Sequence, residues 1–177
     1  NKREVLCSAE VSQPDVIIVI LAAGYATRLR PISNKIAKPL IEINKKTIIS
    51  RIISVFIEAG FTKFCILIGY MGALIKEEVL KISGIEVDFV EQQEMKGMAD
   101  AVLSCLNYLF EKKGEITNFF VSASDILFSK QEINQMHSLF NNAKADIVLS
   151  LMKSNKIEIA KGHGNVKVLE SYNLSKD

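Results

Sequence analysis

An unbroken apolar run, Val16 to Leu21, is followed directly by a loop of small and cationic residues. The run is short and mostly β-branched, which suits a strand covered on both faces better than a helix. Strands of that kind belong to parallel sheets, because helices pack against both sides of such sheets. This first run therefore predicts an α/β fold.

Similar apolar runs alternate with segments whose apolar residues recur at helical spacing. Further strands are predicted at 64–68, 85–90, 118–121, 146–152 and 166–169, and helices at 47–59, 72–82, 97–110 and 129–143. Ser129 is a good N-cap for the last helix, with Glu132 at the capping-box position. The alternation predicts βαβ units and a Rossmann-like, open, mostly parallel sheet flanked by helices. Ligands bind beyond the carboxyl ends of such strands, so a site is expected in the loops after residues 21, 68, 90 and 121.

Composition and charge exclude several classes of function. A length of 177 residues predicts about one domain, with residues 1–15 as a polar tail or linker and 16–177 as the core. A net charge of +2 is too small for a nucleic-acid footprint, and the longest apolar run, Val16 to Ala23, is far short of a membrane span. We therefore expect neither nucleic acid nor a membrane as partner. Three scattered cysteines argue against a disulfide framework and favour a cytoplasmic location: Cys7, Cys65 and Cys105.

The loop at 22–39 has the composition of a phosphate-binding loop. Its small residues let the backbone approach a ligand, and successive N–H groups can then cradle phosphate oxygens. Four cations add positive charge around it: Arg28, Arg30, Lys35 and Lys38. The loop lacks the later glycine of the dinucleotide fingerprint and the Gly-Lys pair that closes a P-loop. On spacing alone, a plain surface turn with solvated cations remains the alternative.

The stretch from Leu21 to Leu40 resembles the motif of the sugar-phosphate nucleotidyltransferases. That motif reads Leu-Ala-Ala-Gly-x-Gly-Thr-Arg-Leu-x-Pro, with a Ser or Thr two positions later and then Lys-Pro-Leu. The chain departs from it at Ala26, where the family usually has its second glycine. Alanine adds a methyl group near the triphosphate and disfavours positive φ. The resemblance covers residues 16 to about 170.

The resemblance implies roles for individual loop residues. Arg28 would stabilise charge at the reacting α-phosphate, and Lys38 would bridge the nucleotide and sugar phosphates, so both are the expected catalytic residues. The loop backbone would hold the nucleotide through Leu21, Ala22, Ala23, Gly24, Tyr25, Ala26 and Thr27. Arg30 and Lys35 match no fixed position of the family.

Two positions after the third strand also fit the family pattern. Gln92 lies five residues before Gly97, which begins the sequence Gly-Met-Ala-Asp-Ala. A glutamine amide carries a donor and an acceptor on one edge, which suits the edge of a nucleobase. The resemblance thus assigns Gln92 and Gly97 to nucleotide binding, with Gln93 as the fallback if the register shifts by one. The residue pattern alone also fits a polar strand end followed by a helix N-terminus.

Two further positions concern the metal and the sugar. Asp125 follows the fourth strand, where the family binds Mg²⁺ through an aspartate, and Ser124 replaces the usual glycine before it. Mg²⁺ prefers one or two carboxylates together with substrate phosphates. An aspartate that merely caps the next turn is the alternative. Gly164 follows His163 in a stretch that resembles the sugar-facing turn of the family.

The implied function is the transfer of a nucleoside monophosphate unit from an NTP to a sugar 1-phosphate, with Mg²⁺ as cofactor and pyrophosphate as the second product. One alternative is a cytidylyltransferase for a polyol phosphate or phosphocholine. Another is a catalytically inactive nucleotide-sugar-binding regulatory homologue, which Ala26, Met98 and Ser124 favour.

Family members continue with a Glu-Lys-Pro segment and a second metal-binding aspartate. The chain begins at Asn1 rather than Met, and we expect a piece truncated at its C-terminal sugar-binding part. The base, the sugar and homo-oligomer formation stay open.

Overall fold

A computed structural model of the chain describes residues 16–92, 94, 96–114, 118–143 and 145–150. Its strands, in chain order, are β1 (Val16–Leu21), β2 (Glu42–Ile43), β3 (Lys46–Thr47), β4 (Lys63–Ile68), β5 (Glu86–Glu91) and β6 (Asn118–Ala123). Its helices are α1 (Ile48–Glu58), α2 (Gly72–Leu80), α3 (Met98–Lys113) and α4 (Lys130–Ala143). Three short 3₁₀ turns lie between β1 and β2, at Thr27–Leu29, Ile32–Asn34 and Lys38–Leu40.

Four parallel strands form the main sheet in the order β5-β4-β1-β6. From β1 the chain steps outward to β4 and then β5, and α3 carries it back to β6 on the opposite side of β1. The open parallel sheet with flanking helices confirms the predicted fold class.

Helices cover both faces of this sheet. Ile18 and Ile20 of β1 point to the core that includes buried residues of α1, α2 and α4. Ile17 and Val19 point to the opposite core, which contains Cys65 of β4 and three buried residues of α3. Each fully buried aliphatic side chain of this size contributes about 1.5–3 kcal/mol to stability. The alternation within β1 therefore holds helices on both sides, as its unbroken apolar sequence predicted.

Capping residues place the helix ends close to where the sequence predicted them. The hydroxyl oxygen of Thr47 accepts a hydrogen bond from the Ser50 N–H at 3.2 Å and begins α1. The Glu132 carboxylate accepts from the Ser129 N–H at 2.7 Å, and the Ser129 hydroxyl accepts from the Glu132 N–H at 3.2 Å. The capping box predicted at Ser129 is thus confirmed.

An ion-pair cluster ties β5 to the C-terminal turn of α3. Asp88 is buried and forms ion pairs with Lys112 and, at 3.6 Å, with Lys113. Lys113 also reaches Glu86 at 2.6 Å, and its hydrogen bond holds the pKa of Glu86 below the ordinary value of a glutamate. These lysines lie at a helix C-terminus, where the helix dipole favours positive charge. The cluster fastens α3 to the edge of the sheet.

The predicted strand at 146–152 is wrong over residues 146–150, which are the part of it that the structure describes. Residues 146–150 form no strand, and the side chains of Ile147 and Leu149 are 74% and 62% exposed. Apolar alternation supplies the faces of a strand, but a strand also needs a neighbouring backbone to pair with, and residues 146–150 pair with none of the described strands. The β2–β3 ribbon was not predicted, because two residues per strand carry no periodicity.

Several predictions lie outside the described residues. They are the tail at 1–15, the strand at 166–169 and the sugar-facing turn around Gly164. None of the described helices has the length and apolarity needed to cross a bilayer.

Candidate active site

The carboxyl ends of the parallel strands lie at one edge of the sheet. The order in which strands are added reverses at β1, because β4 and β5 lie on one side of β1 and β6 lies on the other. The Ser124 N–H after β6 donates to the Leu21 carbonyl at the end of β1 over 3.2 Å. This bond joins the loop after β1 to the loop after β6. Crevices at such a reversal of strand order are where open α/β sheets bind ligands.

Residues 22–40, called here the β1 loop, begin at this crevice. The Ala22 N–H donates to the Leu67 carbonyl over 2.8 Å, and Ala22 and Ala23 are buried. Gly24 is exposed, and a Cβ built on it would meet no atom within 4 Å. The packing of the fold thus does not require a glycine here. The open space leaves the backbone at Gly24 free for close approach by a ligand.

Ala26 adopts a left-handed conformation, with φ 48° and ψ 47°. Its carbonyl accepts a hydrogen bond from the Leu29 N–H at 2.9 Å, which starts the first 3₁₀ turn. Left-handed backbone costs a residue with a Cβ roughly 1–2 kcal/mol. The chain therefore adopts a conformation that favours glycine although it carries an alanine, which strains the loop at this position.

Lys38 and Asp125 meet at the crevice. The third 3₁₀ turn begins at Lys38, whose neighbours Pro39 and Leu40 are buried and fix its position. The Lys38 ammonium donates to the Asp125 carboxylate although 87 residues separate them. The lysine side chain is 32% exposed and the aspartate 40%. The predicted phosphate-bridging cation and the predicted metal ligand thus share one open position between β1 and β6.

The surroundings of Asp125 fit a magnesium ion that is bound mainly through phosphates. Asp125 already holds a cation, the Lys38 ammonium, at an exposed carboxylate. No group of three or more His, Cys, Asp or Glu residues that could hold a metal occurs in the described part of the chain. Mg²⁺ commonly takes one or two carboxylates, substrate phosphates and water. The Asp125 carboxylate is a ligand of that kind, and it is the residue that would hold the ion.

The other predicted residues lie at the same edge but are not all brought together. Thr27 and Arg28 form the exposed first 3₁₀ turn, and Arg28 has no ion-pair partner among the described residues. The Gln92 N–H donates to the Ile68 carbonyl over 2.9 Å, which places Gln92 beyond β5. Gly97 precedes α3 with φ 109°, a backbone conformation that favours glycine. β4 separates β5 from β1, so Gln92 lies on the opposite side of β1 from Asp125.

Tyr70 is a residue at this edge that the sequence analysis missed. It follows β4, and its N–H donates to the Ala23 carbonyl over 3.2 Å. Its phenol donates to the Ser33 carbonyl over 3.0 Å, and its ring lies 5.3 Å from that of Tyr25. The sequence analysis did expect the loop after residue 68 to form part of the site, and the place of Tyr70 in that loop was the one signal that could have identified it.

A sequence profile of the nucleotidyl transferase family matches residues 17–175. The chain belongs to the nucleotidyl transferase family. The match begins within β1 and includes the β1 loop, Gln92 and Asp125, so the family assignment and the geometry concern the same part of the chain.

Curated relatives of this chain include two sugar-phosphate enzymes. A UTP–glucose-1-phosphate uridylyltransferase of Haloferax volcanii is 28% identical over 63% of this chain and 44% of its own length. A mannose-1-phosphate guanyltransferase of Yarrowia lipolytica is 30% identical over 73% of this chain and 36% of its own length. The chain spans less than half the length of either relative.

A solved structure shares the fold. HddC from Yersinia pseudotuberculosis, complexed with GMP-PN, superposes with a TM-score of 0.59 and 25% identity. The superposition covers 71% of this chain and 55% of that one. Gly164 and its turn lie outside the described residues, so the assignment of Gly164 to sugar binding stays a prediction.

Proposed function

We propose that this nucleotidyl transferase takes part in the Mg²⁺-dependent transfer of a nucleoside monophosphate unit from an NTP to a sugar 1-phosphate. The observation that carries the proposal is the meeting of Lys38 and Asp125, which joins the β1 loop to the residues after β6. The β1 loop also contains the open backbone of Gly24. A cation and a carboxylate at the same open position suit a ligand with phosphate groups and a counterion. The family and the names of the relatives indicate the substrate class.

In the proposed reaction an oxygen of the sugar 1-phosphate bonds to the α-phosphorus of the NTP. The bond from that phosphorus to the bridging oxygen of the leaving pyrophosphate breaks at the same time. The second pKa of a phosphate monoester is about 6, so the nucleophile is already a dianion near neutral pH and needs no general base. The protein must instead align two anions and offset their repulsion.

The cationic side chains of the β1 loop are suited to that task. Arg28 is exposed and has no ion-pair partner among the described residues, so its guanidinium is available to the α-phosphate. The Lys38 ammonium lies at the carboxylate of Asp125, between the ends of β1 and β6. Mg²⁺ bound to Asp125 and to the phosphates would supply further neutralisation of the triphosphate charge. Removing one such cation costs on the order of 10²–10³ in rate by analogy with other preorganised charge contacts.

The first experiment measures pyrophosphate release from a panel of substrates. UTP, GTP, CTP, ATP and dTTP are each combined with glucose 1-phosphate and mannose 1-phosphate, with and without EDTA. CTP with a polyol phosphate or phosphocholine tests the cytidylyltransferase alternative. Turnover that requires Mg²⁺ and a sugar 1-phosphate supports the proposal. Binding of NTP or NDP-sugar without turnover would favour the inactive homologue instead.

Arg28→Ala tests the assigned catalytic role, and Arg30→Ala is its matched control. Both arginines are exposed in the same loop, but Arg30 matches no fixed family position. We expect Arg28→Ala to keep the fold and to lose turnover by roughly 10²–10³-fold, and Arg30→Ala to lose little. Equal rates of pyrophosphate release in the two variants would remove Arg28 from the mechanism.

A further inference from the structure

The middle of the β1 loop has few of the contacts that fix its two ends. At its start Ala22 and Ala23 are buried, and at its end Pro39 and Leu40 are buried. Between them the loop has short 3₁₀ turns in place of longer regular structure. Gly24, Tyr25, Thr27 and Arg28, which are among the residues expected to touch the nucleotide, lie in this exposed middle part, so something else must fix their arrangement.

Tyr70 contacts the β1 loop at its start and in this middle part. Its N–H bonds to the Ala23 carbonyl at 3.2 Å, before Gly24. Its ring lies 5.3 Å from the Tyr25 ring at 48°, within the range of favourable tilted aromatic pairs. Its hydroxyl donates to the carbonyl of Ser33, a buried residue, over 3.0 Å. One side chain thus contacts the loop on both sides of Arg28.

We propose that Tyr70 is a positioning residue that holds the β1 loop in its substrate-binding arrangement before the nucleotide arrives. Its hydroxyl and ring fasten the segment from Tyr25 to Ser33 to the carboxyl end of β4. Preorganised loops bind more tightly because less ordering entropy is lost on association. The inference rests on the proposed function for its ligand, an NTP, but the contacts themselves are independent of it.

Tyr70→Phe removes only the hydroxyl and keeps the ring against Tyr25, and Tyr70→Ala removes both. Tyr108→Phe is the matched control, because the Tyr108 hydroxyl lies 3.5 Å from Asp88 on the α3 side of the sheet. The loop conformation is read by limited tryptic cleavage after Arg28, in the full chain, with and without NTP. Thermal unfolding midpoints show whether each variant is folded.

We expect Tyr70→Phe to speed cleavage after Arg28 and to raise the KM for NTP, each by about fivefold, which corresponds to one typical hydrogen bond. Its kcat and unfolding midpoint should stay near those of the unmodified chain, and NTP should slow the cleavage. Tyr70→Ala should show larger effects of the same kind, and Tyr108→Phe none. If Tyr70→Ala does not fold, Tyr70→Phe decides.

Unchanged cleavage and KM in folded Tyr70→Phe would overturn the proposal. A lower unfolding midpoint with unchanged KM would do the same, because it would indicate a purely structural role. If the chain shows no turnover with any substrate pair, the proposed function fails, but faster cleavage in Tyr70→Phe would still support Tyr70 as the residue that holds the loop.

Discussion

Two aspartates in the described part of the chain have lysine partners, and their surroundings differ. Asp88 lies within β5, its side chain is 8% exposed, and two lysines of α3 surround it. Asp125 follows β6, its side chain is 40% exposed, and its lysine comes from a distant loop. The first pair joins a strand to a helix inside the fold. The second lies across an open crevice.

The difference shows how one type of ion pair can serve two purposes. A neutral side chain at the buried Asp88 position would lose the ion pairs with Lys112 and Lys113 while its polar group stays in the interior, so stability depends on the carboxylate. An exposed pair contributes little to stability, because solvent screens it. In the proposed function, Lys38 and Asp125 would therefore exchange partners for phosphate and Mg²⁺ while the fold persists.

The largest effect expected is on turnover, from Asp125→Asn. The amide keeps the shape but removes the charge, so turnover should fall by roughly 10²–10³-fold and its Mg²⁺ dependence should weaken. The unfolding midpoint should stay nearly constant because the pair is exposed. Pyrophosphate release over a Mg²⁺ titration, with a thermal melt, measures both. An unchanged Mg²⁺ titration would indicate that Asp125 only caps a turn, and the contrast between Asp125 and Asp88 would then not hold.

Gly24→Ala and Gly69→Ala should separate binding from packing. The added methyl at Gly24 meets nothing within 4 Å, so stability should hold while NTP affinity falls by about tenfold or more, because the methyl occupies ligand space. At Gly69 the methyl lies 3.0 Å from the backbone oxygen of Ala23, and overpacking should cost about 1–3 kcal/mol. Urea melts and nucleotide titrations of both variants test this. Full NTP affinity in Gly24→Ala would place the ligand elsewhere.

Asp88→Asn should affect stability rather than chemistry. We expect a loss of about 1–2 kcal/mol, since the buried carboxylate accepts a charge-assisted hydrogen bond from Lys112 that becomes weaker when a neutral amide is the acceptor. Turnover measured well below the unfolding midpoint should be unchanged. Denaturant unfolding and pyrophosphate release check the two parts. A rate loss as large as that of Asp125→Asn would abolish the distinction between the two aspartates.

The smallest effect is expected from Ala26→Gly, within the β1 loop. Relief of the left-handed strain at φ 48° should exceed the entropy that glycine adds to the unfolded chain. We expect a gain of about 0.5–1 kcal/mol, or roughly 1–4 °C in the unfolding midpoint. A calorimetric scan measures it. A lower midpoint would show that the methyl group of Ala26 makes contacts that outweigh its strain.

Most of the fold and the identity of several candidate residues could be predicted from local pattern. The strand at Val16–Leu21, the loop after it and Asp125 after β6 all follow from short stretches of sequence. The strand predicted at 146–152 was wrong over 146–150, because alternation says nothing about a pairing partner. Tyr70 was missed because its contacts join two loops that only the sheet brings together.

What the sequence by itself determined is the alternation of strands and helices and the small, cationic β1 loop. Both features depend on the spacing of apolar side chains and on the conformational freedom of the backbone, and residues close together in the sequence determine both. Only the tertiary structure decided that Lys38 meets Asp125 and that Tyr70 holds the loop near Ser33. Those contacts depend on the strand order β5-β4-β1-β6, which results from packing helices on both faces of the sheet and cannot be read from any single segment.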